Sequence, residues 1–236
     1  MTDVDILHER GNLIPADWRE RLPNASSPYY STMAFLVREG NPKNIQNWDD
    51  LVRDDVSSVL PNPKTSGNGR YTYLAALGYA QKTFGDDQEA IDNFLREFLG
   101  NVAVFDTGGR GATTTFVERG IGDVLLTFES EVNNIAAQSD GEYQVVVPKV
   151  SFLAEFPVTW IDRSVERNET TDVAKAYLEY LYSEEAQRLI AGFNYRVHDE
   201  TVKAEFADRF PELELLPIEA IAGDWKTAMT EHFASA

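Results

Sequence analysis

Two glycine-bearing loops, PNPKTSGNG (Pro61–Gly69) and DTGGRG (Asp106–Gly111), each follow an apolar run that reads as a strand and lead into a stretch with helical spacing. A helix start carries N–H groups without intrahelical acceptors and a partial positive charge, which suits it to an anion. Glycine lets the backbone approach a ligand closely and take positive φ. Ser66 adds a hydroxyl and Asn68 an amide as further donors. Such turns also serve purely structural ends throughout α/β proteins, so either loop alone carries little. The first loop lacks the GxxxxGK[ST] pattern of a nucleotide-phosphate loop.

Asp106–Gly108 spells DTG, a tripeptide of aspartic proteases, whose chemistry needs two carboxylates sharing a proton. One copy is present, and the flanking GRGATTTFVERG reads as a helix, which leaves an aspartic-type hydrolase using Asp106 as a minor alternative. His8, His198 and His232 lie far apart and fall in no metal-binding spacing, so surface or capping roles are expected of them. The chain has no cysteine, which excludes thiolate chemistry, disulfides and Cys-ligated zinc. No catalytic residue is assigned, and no metal or cofactor is called for.

The elements that must position the loops alternate between strand and helix, the order of an α/β protein. Strands are expected over Tyr30–Arg38, Val56–Leu60, Val102–Phe105, Asp123–Phe128, Tyr143–Pro148 and Glu155–Ile161. Helices are expected over Tyr71–Phe84, over Gln88–Leu99 with Asp86 as its cap, and over Glu129–Ala137. The remainder reads as mainly helical, over Thr171–Tyr182, Glu184–Ala191, Glu200–Arg209 and Asp224–Phe233.

The 236 residues suffice for one large domain or two lobes, and 43% hydrophobic content provides a core. A formal charge of −18 argues against nucleic acid and anionic membranes as partners. An anion would have to be held by local donors against that field, which salt screens over roughly 8–10 Å. No apolar stretch approaches the roughly 20 residues that span a bilayer, so no membrane insertion is expected. The start, MTDVDILHERG, lacks a signal-peptide pattern.

Four long segments, with the tail from YRVHDE onward, carry a resemblance: RLPNASSPYYSTMAFLVREGNPK (Arg21–Lys43), PNPKTSGNGRYTYLAALGYA (Pro61–Ala80), FDTGGRGATTTFVERGIGDVLLTFESEVNNI (Phe105–Ile135) and PKVSFLAEFPVTWID (Pro148–Asp162). Together they resemble the periplasmic sulfate/thiosulfate-binding proteins of bacterial ABC importers, with TGGRGATTTF and FESEVNNI pointing to the thiosulfate-binding branch. The resemblance implies a two-lobed periplasmic-binding-protein (type II) fold, each lobe a doubly wound sheet flanked by helices. It implies a receptor, not an enzyme, that closes on thiosulfate or sulfate and serves an ABC permease in sulfur uptake from the periplasm. Ser66, Gly67 and Asn68 match a loop whose hydroxyl and backbone amides bind the oxyanion. Gly109 matches a backbone donor, with Arg110 beside it. Phe128 aligns with a Trp whose indole N–H binds sulfate in the sulfate-preferring branch, and its lack of a donor is expected to favour thiosulfate. The extra amide of Asn68, where the sulfate branch has glycine, is expected to compensate in part.

By the same resemblance, residues 33–146 form a complete lobe two with the anion loops, while 1–32 and 147–236 form a lobe one incomplete at its N-terminus. Weakened binding and a homodimer or segment swap are expected from that departure. The alternative function is a truncated paralogue acting as a dimer or interaction protein.

Overall fold

The computed structural model describes residues 2–234, which fall into two compact units: 2–31 with 155–211, and 32–154 with 212–234. The second is built on a five-stranded sheet of β1 (Met33–Arg38), β2 (Ser58–Pro61), β3 (Val102–Asp106), β4 (Val124–Phe128) and β5 (Tyr143–Val146). Their spatial order is β3-β2-β4-β1-β5. β2 lies parallel to both β3 and β4, with Pro61 opposite Asp106 and Ser58 opposite Val124. β1 runs antiparallel to β4 and β5, with Met33 opposite Phe128 and Phe35 opposite Val146. MAFLV and VLL are continuous apolar runs because these central strands are covered on both faces.

The covering helices are α1 (Gly67–Phe84), α2 (Gln88–Gly100), α3 (Gly109–Val117) and α4 (Glu129–Gln138). Ala112 and Phe116 of α3 and Val132 of α4 pack with Ala34, Leu36, Val59 and Leu125 of the strands in one fully buried cluster. Elsewhere in this unit Trp48 is fully buried, edge-on to Phe35 at 4.9 Å and Phe98 at 6.1 Å, and its indole N–H donates to Val150 O at 2.9 Å. Asp87, not Asp86, caps α2: its carboxylate accepts from Ala90 N at 3.0 Å.

Two segments stand with this unit where the sequence reading places them in lobe one. Val150–Phe152 pairs in parallel with Glu214–Leu216, so 147–154 and the chain after 211 are tied together. The tail then seats on α1: a Cβ on Gly78 would lie 2.9 Å from Ile221 Cδ1 and from Leu216 Cδ1, and Gln81 donates to Ile221 O at 3.1 Å. Such pairing is invisible to local pattern, because its partners lie some sixty residues apart in sequence.

In the first unit Tyr29–Ser31 pairs antiparallel with Arg196–Val197, with Tyr29 opposite Val197 and Tyr30 opposite Arg196. The strand expected over Glu155–Ile161 ends at Glu155. Pro157 has no N–H for a ladder, and the neighbouring amides go elsewhere: Phe156 N donates to Ser27 Oγ at 3.0 Å and Val158 N to Ser26 O at 2.7 Å. Gln187, almost fully buried, binds this unit by donating to Pro28 O at 2.8 Å and Leu181 O at 2.7 Å while accepting from His198 N at 2.9 Å.

Asp199 caps the helix Glu200–Glu205 by accepting from Val202 N at 3.0 Å, and Val202 is fully buried in this unit's small core. Replacing Asp199 with Ala is expected to destabilise the protein by about 1 kcal/mol in chemical denaturation. The histidines are less exposed than expected: burial holds His198 and His232 below the ordinary imidazole pKa, and His8 Nδ1 lies 2.9 Å from Ile14 O.

Candidate functional site

In the second unit the carboxyl ends of three parallel-aligned strands, β2, β3 and β4, each lead into a helix start. That edge of an open α/β sheet is where ligands bind, because the loops leaving it diverge and the helix N-termini face the space between them. The first of these loops is tied down at several points. Asn62 N donates to Asp106 O at 2.7 Å, and Asn62 O accepts from Ser66 N at 2.9 Å and Thr65 N at 3.1 Å. Thr65 Oγ1 donates to Thr107 O at 3.2 Å, which links this loop to the second.

Ser66 is the N-cap of α1 in extended conformation (φ −129°, ψ 132°), and its hydroxyl makes no capping bond. Among the described residues, no protein group accepts from the N–H of Gly67, Asn68 or Gly69. The same holds at the start of α3 for Gly109, Arg110 and Gly111, where the first helical bond is Ala112 N to Gly108 O at 3.1 Å. The two starts lie side by side: a Cβ on Gly109 would stand 3.0 Å from Asn68 Nδ2.

None of Gly67, Gly69, Gly108, Gly109 and Gly111 has positive φ; where they are required, the reason is space. A Cβ on Gly69 would lie 2.3 Å from Pro61 O, and one on Gly111 would lie 3.1 Å from Asp106 Oδ1. Asp106 therefore sits behind the first turn of α3, with Oδ2 buried and unbonded.

The expected site residues divide into three groups. Ser66, Gly67, Asn68 and Gly109 come together at the paired helix starts. Phe128 ends β4 at the same edge, and its half-buried ring packs on Tyr71 of α1 at 5.6 Å, continuing to Phe152 and Trp225. It is a wall of the site carried on an aromatic cluster. Arg110 is exposed and lines a cavity of about 370 Å³ with Thr113, Thr114, Glu131, Asn134 and Ile135 between α3 and α4.

Sequence reasoning missed Thr127 and Glu131. Thr127 is fully buried and donates its hydroxyl proton to Glu131 Oε2, while Asn68 Nδ2 donates to Thr127 Oγ1 at 2.7 Å. The spare amide of Asn68 is thus directed at Thr127. The available signal was the four-residue spacing of Thr127 and Glu131 across a helix start. Chemically, the edge offers an array of uncharged N–H donors with a hydroxyl beside it, flanked by the Glu131 carboxylate and backed by that of Asp106. No group of acidic, histidine or cysteine side chains suited to a metal occurs among the described residues.

Comparison with known proteins bears on this arrangement. The chain is 58% identical to the thiosulfate-binding protein of Escherichia coli (strain K12) over all of its own length and 70% of that protein's. It is 47% identical to the sulfate-binding protein of the same organism, over 99% of this chain and 71% of the relative. Its fold matches the solved sulfate-binding protein SubI from Mycobacterium tuberculosis H37Rv with a TM-score of 0.85 at 30% identity, covering 99% of this chain and 78% of that one. The pattern of the family described as bacterial extracellular solute-binding protein matches residues 1–196. With the family pattern over most of its length and close relatives over nearly all of it, the chain belongs to the bacterial extracellular solute-binding proteins.

Proposed function

We propose that this chain is a receptor for a fully ionised tetrahedral sulfur oxyanion, thiosulfate or sulfate, which it presents to an ABC importer on the outer side of the cytoplasmic membrane, in the periplasm. The observation that carries this is the adjacency of two helix starts whose N–H groups have no protein acceptor. Thiosulfate and sulfate offer only acceptors at neutral pH, so a site of donors suits them. A protonated phosphate would turn a donor toward a row of amide N–H groups that cannot accept it, at a cost of about 1–3 kcal/mol. A dianion leaving water must be densely hydrogen-bonded, and helix ends provide this without a buried counter-charge. Ser66, Gly67, Asn68, Gly109 and Arg110 are assigned as donors, and Phe128 as a wall without a donor. The relatives are named for what they bind and not for a reaction, and no reaction is assigned to Asp106.

Calorimetric titration and thermal melts with thiosulfate, sulfate and phosphate test this. Thiosulfate at a hundred times its Kd is expected to stabilise the protein by about 2.7 kcal/mol, with phosphate inert. Absence of heat and of any melting shift with both sulfur anions up to millimolar concentration overturns it.

One observation favours a second reading, self-association. In the first unit the helix Thr171–Tyr180 buries no residue, and Val173 and Tyr177 are 72% and 63% exposed. On the following helix, Glu184–Gly192, Leu189 is 57% exposed. An amphipathic helix whose apolar stripe faces solvent is an association surface. Sedimentation of a monomer at all accessible concentrations excludes a dimer through it.

A further inference from the structure

Asn68, Thr127 and Glu131 form a one-way chain of hydrogen bonds at the oxyanion edge. An ionised carboxylate can only accept, so the single proton of the Thr127 hydroxyl goes to Glu131 Oε2. The Thr127 oxygen is then left as an acceptor, and Asn68 must turn its NH₂ group to it, at 2.7 Å. The opposite amide orientation would set two acceptors face to face. The cost of this orientation is visible, because Asn68 Oδ1 is buried without a hydrogen-bond partner. An amide left to its own environment would not leave its carbonyl unpaired; the carboxylate two bonds away imposes the arrangement.

The held amide occupies the space between the two helix starts. Its nitrogen is 3.0 Å from where a Gly109 Cβ would be, and Glu131 Oε2 is 3.5 Å from the same point. Neither start can move toward the other without displacing the Asn68 side chain, and that side chain is anchored through Thr127, itself fully buried at the end of β4. The backbone donors of Asn68 and Gly109 are therefore kept at a fixed separation by a side chain that gives one of its two amide N–H donors to Thr127.

We propose that Thr127 and Glu131 are positioning residues for anion choice: they lock Asn68 as a spacer that holds the two helix starts apart and so favours the larger thiosulfate over sulfate. The inference rests on the receptor reading above and adds its selectivity. Removing the spacer lets the starts approach, which suits four short S–O bonds better than an anion with one long S–S bond.

The test is the ratio of sulfate Kd to thiosulfate Kd, measured by calorimetry on the full chain, with melting temperature recorded for each variant. Thr127→Val keeps the shape and loses the hydroxyl; it is expected to lower the ratio roughly five- to tenfold, the effect of one net hydrogen bond. Thr127→Ser, which keeps the hydroxyl, is expected to hold the ratio within about twofold of wild type, whereas Glu131→Gln, whose amide can donate as well as accept, frees the direction of the chain and is expected to lower the ratio toward that of Thr127→Val. Asn68→Gly is expected to lower it at least as far as Thr127→Val, and decides the matter if Thr127→Val fails to fold. A merely structural role would lower both affinities together and leave the ratio unmoved, and that result in Thr127→Val and Asn68→Gly overturns the spacer while the receptor reading stands. A wild-type chain that binds neither anion overturns both.

Discussion

Replacing Gly67 with proline is expected to weaken thiosulfate binding roughly 10- to 150-fold while the protein stays folded, the effect of deleting one hydrogen bond to a charged group worth about 1.5–3 kcal/mol. Proline removes a backbone N–H, which a side-chain substitution cannot do. Position 67 accepts it unusually well. It is the first residue of α1, where the ring's fixed φ suits the helix. The preceding residue, Ser66, already holds φ −129° and ψ 132°, within the region that a following proline demands. A Cβ at 67 would meet nothing within 4 Å, so the site is open. The lost N–H has no protein acceptor, so folding surrenders nothing. Gly67→Ala is the control: it keeps the donor and is expected to bind within about twofold of wild type. Titration showing wild-type affinity in Gly67→Pro removes this amide from the site.

Two residues on, Gly69→Ala is expected to destabilise the protein by about 3 kcal/mol, the upper end of ordinary overpacking. The Cβ would sit 2.3 Å from Pro61 O, 2.7 Å from Asn62 C and 2.8 Å from Pro63 N. All three are backbone atoms of the loop that leads from β2 into α1, so no flexible side chain can swing away. Relief requires moving the loop, which is bound to β3 through Asn62 N and to the second loop through Thr65. Stability and anion binding should therefore fall together, in contrast to the paired Gly67 variants, where they separate. Urea denaturation that places Gly69→Ala within 1 kcal/mol of wild type excludes this account of the glycine.

These contrasts follow from how the site is made. Its donors belong to the backbone, so they are placed by strand register and helix packing, and side chains act on them from behind. Pro61 opposite Asp106 brings the ends of β2 and β3 level, and Phe128 ends β4 beside them. The net charge of −18 opposes an anion at long range, but salt largely screens exposed charges farther away than roughly 8–10 Å, while the local donors act well inside that distance.

Several features of this protein were determined by sequence alone. The buried runs over 33–38 and 124–128, the helical spacing of 71–84 and the two glycine loops each declare themselves within a dozen residues, because apolar periodicity and turn chemistry are local properties. The matched segments were equally legible, since family identity lies in ordered strings of residues. Local pattern misled at 155–161, an apolar and aromatic stretch that reads as a strand until Pro157 and the serines at 26 and 27 divert its amides. It also misjudged the glycines, expected to relax φ but required for close approach at 69 and 111.

What tertiary structure alone decided is long-range. The tail after 211 joins the second unit because Glu214–Leu216 pairs with Val150–Phe152, a choice made by register between distant segments. Asn68, expected to offer its side-chain amide to a ligand, gives it to Thr127 because Glu131 takes the only proton on that hydroxyl. The types of the three residues were plain from the start. That their hydrogen bonds run in one direction, and that the chain fills the gap beside Gly109, follows only when helix starts from separate crossovers are packed against the same sheet edge.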